Sequence, residues 1–371
     1  MSAEIAHWID GRNVAGGGPA HRSTNPFTGD TVATFRAADA QDVAAAVAAA
    51  RNAFAGPWPR ASVPARQKTL RAIAATIRGA ADALADLQVA ETGLLRTGAL
   101  RQIEAGAAWF DHYADTIATE AGAAYRQLPG ATTLVTRTPI GVCALFTPWN
   151  VPVALAAIKL APALAAGNTV VWKPSEEVPA TSRLLADLLT GADLPPGVLN
   201  LVNGPGAITG AALAKAPIDA LSFTGGSAGG QAVAAAAAPR NIPITLELGG
   251  KSASIVFADA DQDAALDGVL SAAYGNNGEA CLAGSRILVE AAIFEAFTEA
   301  FAARAKSLKV GDPAAPDTRL GPMVSAHHAA HVSSFFGTAA RDGDALICGG
   351  TADGTFIAPS AYTVASTQSR L

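Results

Sequence analysis

The sequence predicts an α/β protein built around a parallel sheet. From Ile140 onward short β runs alternate with helical runs, the pattern of βαβ units. Half of the 371 residues are hydrophobic and only 15% are charged, which suits a large core and, at about 100–200 residues per domain, two or three domains. Each β run is followed by a segment rich in Gly, Pro and small polar residues, which is where open α/β sheets bind ligands.

Composition removes several classes. Such a hydrophobic chain is not disordered. Its net charge of −5, without a basic block, argues against nucleic acid held by phosphate contacts. Cys143, Cys281 and Cys348 are too scattered for a zinc cluster or disulfide framework, so no metal is expected and a reducing, cytoplasmic compartment is. Met1–Asp10 lacks the apolar run of a signal peptide. The most apolar stretch, Ile140 to Ile158, is interrupted by Pro148, Asn150 and Pro152 and ends at Lys159, so no membrane span is expected.

The first part reads as helical: Asp39 to Phe54, Arg66 to Glu91 and Gly98 to Glu120 repeat apolar residues at helical spacing, with a break at Gly56-Pro57-Trp58-Pro59. Pro129-Gly130, followed by β-branched residues, predicts a hairpin near 122–139. The β runs are 141–146, 169–172, 198–202, 220–223 and 244–248, with helices at 182–189 and 230–238. A second α/β run follows Gly249: strands at 253–257 and 287–290, helices near 263–273 and 293–307. The expected domains are therefore 1–248 and 249–371.

The segments after the strands are TPWN (147–150), KPSE (173–176), NGPG (203–206), TGGS (224–227) and GGKS (249–252). Each alone reads as an ordinary βα turn; five in a row read as the rim of a cleft. Lys173 can donate to ribose hydroxyls and Glu176 can accept from them, and a carboxylate there repels a 2′-phosphate, favouring NAD over NADP. The plain alternative is a solvated Lys–Glu pair. Gly204-Pro205-Gly206 with Gly210 misses the dinucleotide fingerprint by one residue. Gly225-Gly226-Ser227 opens a helical run, whose N–H groups suit a pyrophosphate. Cys143 and Cys348 read as buried hydrophobes, whereas glycines and polar residues flank Cys281 and imply an accessible loop. Glu247 interrupts an apolar run, so it is either paired or catalytic.

At these residues the chain resembles the aldehyde dehydrogenase superfamily, its betaine-aldehyde and hydroxymuconic-semialdehyde branches in particular. Leu246 to Ser252 (LELGGKS) resembles the family's glutamate motif and Tyr274 to Ser285 (YGNNGEACLAGS) its cysteine motif, with Glu247 and Cys281 separated by 34 residues. Thr147 to Asn150, Lys173 to Glu176 and Phe223 to Ser227 match three more motifs in order, and the similarity runs from near Trp8 to the last residue. The resemblance implies a Rossmann-like NAD-binding domain, including an oligomerisation hairpin, joined to an α/β catalytic domain. It makes Cys281 the nucleophile, Glu247 the general base and Asn150 the oxyanion donor. Thr147, Pro148, Trp149, Lys173, Ser175, Glu176, Gly206, Gly225, Gly226, Ser227, Gly230 and Leu248 would hold NAD. Lys159 matches a lysine behind the active site.

The implied activity is oxidation of a small-molecule aldehyde to a carboxylic acid through a thiohemiacetal and a thioester, by a homodimer or homotetramer. Phe356 to Leu371 resembles the stretch just before the family's Glu-x-Phe-Gly-Pro motif, where the sequence ends. The resemblance therefore implies an incomplete catalytic domain with exposed apolar surface and, as the alternative function, an inactive fragment that binds NAD or a full-length relative. A cysteine hydrolase or acyltransferase ranks last, because the six histidines lie away from the motifs in sequence.

Overall fold

Two β runs are buried at all six of their positions, Val142–Thr147 and Thr169–Pro174. Strands covered on both faces belong to the middle of a parallel sheet. The structure, a computed structural model, describes residues 3–120, 122–364, 366 and 369–371. Met1 and Ser2 of the N-terminal segment, and positions 365, 367 and 368 of the final stretch, lie outside the described residues.

The chain divides into two compact units. The first comprises Met1–Arg22, Ala33–Leu84 and Leu100–Glu247; the second comprises Ser23–Val32, Ala85–Ala99 and Leu248–Leu371. Two segments from the first hundred residues thus belong to the second unit.

The main sheet contains β1 (His7–Ile9), β2 (Arg12–Val14), β3 (Val142–Thr147), β4 (Thr169–Pro174), β5 (Leu199–Leu201), β6 (Ala220–Gly225) and β7 (Ile244–Leu248), in the spatial order β7-β6-β3-β4-β5-β1-β2. β6, β3, β4 and β5 run parallel, and β1 joins β5 antiparallel. The helical reading of the first part needs correction here, because short strands precede the first helix. Three-residue strands such as β1 and β2 are too short to show an alternating pattern. A second correction concerns Arg66 to Glu91, which forms two helices, Val63–Gly79 and Ala81–Thr92, joined at Ala80.

Helix α1 (Ala40–Ala55) starts at Asp39, whose carboxylate accepts from the N–H groups of Gln41 and Asp42, while the Asp42 carboxylate accepts from the Asp39 N–H. This reciprocal box satisfies N–H groups that a helix start leaves without partners. Val43, Ala46, Val47 and Ala50 of α1 share a core with Val142, Ala144 and Phe146 of β3 and with Val233 and Ala237 of α4 (Ser227–Ala237). Helix α2 (Pro152–Ala165) also packs on β3 and β4, and α3 (Pro179–Thr190) on β5.

The hairpin pairs Ala123–Tyr125 with Thr133–Val135. Its turn is closed by the Ala131 N–H donating to the Leu128 carbonyl, with Gly130 at φ +73°. Tyr125, Leu128, Leu134 and Val135 are exposed on it.

In the second unit β8 (Ala253–Val256) pairs parallel with β9 (Arg286–Val289). α5 (Gln262–Tyr274) and α6 (Phe294–Ser307) cover one face, burying Val256, Leu266, Val269, Phe297, Phe301 and Cys348 together. Because side chains alternate along a strand, Ile255 and Leu288 point the other way. They are 62% and 53% exposed, and neighbouring Phe257 is 61% exposed. Helix α7 (Ala326–Asp342) is capped by the Ser325 hydroxyl and ends at Gly343 in the left-handed conformation.

Asp219 anchors the start of the central strand: its carboxylate accepts from the Val142 N–H at 2.7 Å and from Arg51 at 2.5 Å. Asp219→Ala leaves the Val142 N–H without its acceptor, so a urea titration should show a loss of about 1–3 kcal/mol. An unchanged midpoint would assign this anchor no stabilising role.

Candidate active site

Four stretches predicted to bind ligand lie at the carboxyl ends of parallel strands in the first unit. Thr147 ends β3, and its hydroxyl accepts from the Trp172 indole N–H of β4 at 2.8 Å. Pro148, Trp149 and Asn150 follow, half-buried, and α2 begins at Pro152. At the end of β4 the Lys173 ammonium donates to the Pro174 carbonyl at 2.8 Å and lies 3.8 Å from the Glu176 carboxylate. Lys173 is 5% exposed, so the solvated-pair alternative fails for the lysine. Burial lowers its pKa, and the Glu176 charge opposes that. The Ser175 hydroxyl accepts from the Glu177 N–H at 3.3 Å. Burial, then the adjacent Glu176 charge, push the Glu177 carboxyl up to about 7.

After β5, Gly206 opens a π-type turn, Gly206–Gly210, whose last residue sits against the Lys173 side chain. After β6, Gly226 is the N-cap of α4, with no side-chain cap and with open space where a Cβ would point. A Cβ on Gly225 would lie 2.7 Å from the Phe223 ring, and one on Gly229 3.0 Å from it. A Cβ at either position would press on the edge of that ring, so glycine lets the ring lie against the turn, a contact visible only in three dimensions. Gly230 is buried and its N–H donates to the Gly226 carbonyl, whereas Ser227 starts the helix with its N–H in the uncapped first turn.

Lys159 projects from α2 and is 7% exposed, and its ammonium donates to the Ser222 hydroxyl at 2.6 Å. Burial pushes this lysine down to about 8, and the Glu247 charge works against that shift. Glu247 is exposed near the end of β7. Leu248 is half-buried, the last residue of β7 and the first of this stretch to belong to the second unit.

The three cysteines differ sharply. Cys143 is buried in β3, and burial, reinforced by Asp219, pushes its thiol up to about 12. Cys348 is buried and its thiol is raised by the same cause. Cys281 is exposed. It follows α5 through a turn in which Asn276, Asn277 and Gly278 have φ of +57°, +59° and +75°. Its carbonyl oxygen lies 3.1 Å from where a Cβ on Gly250 would stand, so the glutamate-motif glycine makes room for the cysteine loop.

Sequence reasoning missed two neighbours of Cys281. Asn277 is 8% exposed: its amide donates to the carbonyls of Gly93 and Pro322 and accepts from the Gly321 N–H at 2.8 Å. The side chain of Glu279 is 5% exposed; it accepts from the Val324 N–H at 3.1 Å and lies 3.6 Å from the His328 ring. Burial pushes the Glu279 carboxyl up to about 8 despite the Val324 N–H. His328 therefore approaches the cysteine motif in space, correcting its remoteness in sequence; the group its ring faces is the Glu279 carboxyl. The one available signal was the GNNG run, since Asn and Gly favour left-handed turns.

The folded-state pKa of Glu279 lies above its ordinary value, so folding takes up a proton between the two. Its contribution to stability is full below about 4.5 and declines as pH rises to about 8. Glu177 acts in the same sense, and Lys159 stays charged in both states over most of this range. Urea midpoints from pH 5 to 8.5 should therefore fall less for Glu279→Gln than for the unaltered chain. Parallel profiles would remove Glu279 as the source.

Residues 14–371 match the aldehyde dehydrogenase family. The chain is 37% identical over 376 residues to a 2-hydroxymuconic semialdehyde dehydrogenase of Pseudomonas sp. strain CF600, covering 97% of this chain and 77% of that one. It is 40% identical over 347 residues to a betaine aldehyde dehydrogenase of Bacillus subtilis strain 168, covering 92% and 71%. A crystal structure of betaine aldehyde dehydrogenase from Staphylococcus aureus in complex with NAD+ superposes with a TM-score of 0.96 at 32% identity, over 99% of this chain and 75% of that one. An NAD-dependent aldehyde dehydrogenase from Sinorhizobium meliloti gives the same TM-score at 35% identity. The fold, with its parallel-sheet core, and the family profile agree: the chain belongs to the aldehyde dehydrogenase family, oxidoreductases that act on aldehydes with NAD.

Proposed function

We propose that this chain oxidises its aldehyde through a covalent bond to Cys281. One observation carries the assignment: Cys281 is the exposed thiol, while Cys143 and Cys348 are buried and held protonated. A thiolate is the reactive form of cysteine. Its attack on the carbonyl carbon forms the S–C bond and moves the π pair onto oxygen. The Asn150 side-chain amide and the Cys281 backbone N–H are the donors we assign to that oxyanion, each worth about 2.7–4 kcal/mol in comparable sites.

The residues at the strand ends fit NAD. Glu176 supplies an acceptor for the adenosine ribose hydroxyls and Lys173 a donor, close enough to share one diol. The uncapped start of α4 at Gly226 leaves N–H groups and open space suited to a pyrophosphate. Thr147, Pro148, Trp149, Ser175, Gly206, Gly225, Ser227, Gly230 and Leu248 complete the set we assign to it. When bound, NAD accepts the hydride that the oxyanion expels. Collapse leaves an acyl thioester on Cys281. Glu247 takes a proton from water, the hydroxide adds to the thioester carbon, and the thiolate leaves with release of the carboxylic acid.

The three unpaired thiols support a reducing, cytoplasmic setting. The apolar, exposed hairpin at 123–135 supports its use as a subunit contact.

Cys281→Ala should abolish NADH formation from betaine aldehyde, 2-hydroxymuconic semialdehyde and simpler aldehydes, while Cys143→Ala and Cys348→Ala should retain it. Equal loss in the Cys143 variant would overturn the assignment. NAD binding by calorimetry without NADH formation from any aldehyde would favour the fragment alternative.

Glu247→Gln should give one burst of NADH without steady turnover, and unchanged steady turnover would remove it as the base. Glu176→Gln should narrow the preference for NAD over NADP, measured by calorimetric titration. Tighter binding of NADP by the unaltered chain would contradict the role given to Glu176.

A further inference from the structure

The geometry points to Asn277 and Glu279 as positioning residues that clamp the Cys281 loop to the buried segment 320–324. Four observations in the second unit carry this role. First, Asn276, Asn277 and Gly278 all lie in the left-handed region immediately before Glu279, Ala280 and Cys281. Such a run of left-handed residues persists only where surrounding contacts over-determine it. Second, Asn277 spends both amide hydrogens and its carbonyl oxygen on three backbone groups, those of Gly93, Gly321 and Pro322. Third, Glu279 accepts from the N–H of Val324 in the same buried segment, beside His328. Fourth, the far side of the loop is tied by the Gly284 N–H donating to the Ala272 carbonyl, and Gly250 closes on the Cys281 carbonyl.

The chain is thus held two and four residues before the nucleophile and three residues after it. The short arc between Glu279 and Gly284, with Cys281 and the 75% exposed Leu282, reaches solvent. A residue two positions along the chain from an anchored side chain has little room to drift, and attack geometry is sensitive to displacements of an ångström. Burial favours the uncharged carboxyl at Glu279, so the anchor does this without placing a fixed negative charge beside a thiolate. This role rests on Cys281 being the nucleophile.

The test uses three variants of the full chain. Glu279→Gln keeps an acceptor oxygen for the Val324 N–H; Glu279→Ala removes it. Asn277→Gly removes all three side-chain bonds while tolerating the left-handed backbone, so its effect is not one of strain. Hydrogen–deuterium exchange of the peptide spanning 276–285 should rise in Glu279→Ala and Asn277→Gly, with α5 and α6 still protected, and stay at the wild-type level in Glu279→Gln. The single-turnover rate of NADH formation should drop by about 10–100-fold in the first two, at unchanged NAD affinity, and recover in Glu279→Gln.

Wild-type exchange and burst rate in folded Glu279→Ala would overturn the clamp, as would a Glu279→Gln variant as impaired as Glu279→Ala. If Asn277→Gly fails to fold, the Glu279 pair still decides, and the exchange measurement needs no turnover. NADH formation by Cys281→Ala would instead overturn the nucleophile assignment, which separates the two failures.

Discussion

Parallel pairing of β6, β3, β4 and β5 is the constraint from which the placing of the residues we assign to NAD follows. Parallel neighbours cannot be joined by a tight hairpin, so each strand must hand the chain to a returning segment before the next begins. Every carboxyl end then finishes at the same edge of the sheet. Thr147 to Asn150, Lys173 to Glu176, Gly206 and Gly225 to Ser227 come from stretches up to about eighty residues apart, yet all are strand-end segments of one ladder. The Trp172–Thr147 hydrogen bond ties two of these ends directly. Beyond the last ladder bond the backbone is free to turn and to present N–H groups, which is why glycine, proline and short polar side chains accumulate there.

Burial then sorts chemically similar groups into different roles. Three thiols with the same intrinsic acidity are separated by solvent access alone: two are packed and driven toward the protonated form, and one is exposed. Two lysines are treated in the same way. Lys173 and Lys159 are both buried and both pushed toward the neutral amine, and each keeps a hydrogen-bond acceptor and a nearby carboxylate. An unpaired ammonium in the same position would cost several kcal/mol. The partners Glu176 and Glu247 are therefore part of what makes these lysines tolerable, besides any role toward a ligand.

Much of the first unit was legible because its signals are local. Every β run from 141 to 248 became a strand within about two residues of its expected bounds. β1 and β2 were not, because three residues cannot display a period and β1 gains its place only by pairing with β5, almost two hundred residues away; the longer strands Ala20–Thr24 and Thr31–Arg36 were missed although their length allows a period. The break at Ala80 carried one local signal, Gly79 at the end of the first helix, but apolar residues continue across it and mask the stop. Site residues flagged by their setting in the sequence are both exposed, Cys281 in a turn between two elements and Glu247 next to the last residue of β7. The contacts of Asn277, Glu279 and Phe223 were not legible, because their meaning lies in what they touch. The same holds for His328, forty-nine residues from Glu279 in sequence and 3.6 Å from it in space.

The turn before Cys281 shows that local energetics alone would not build it. Two non-glycine residues in the left-handed region cost on the order of 1–3 kcal/mol each, with asparagine at the low end. The three hydrogen bonds of Asn277 return about 0.5–1.5 kcal/mol each. The two sums are of the same size, so the turn contributes little net stability. What it does contribute is direction. It reverses the chain at the end of α5, fixes two side chains inward onto one buried segment, and leaves the next exposed thiol at a defined place on the surface. A helix that simply frayed at Tyr274 would avoid the strain and lose that placement, which is the physical reason to expect shape rather than stability to govern the sequence GNNGEAC.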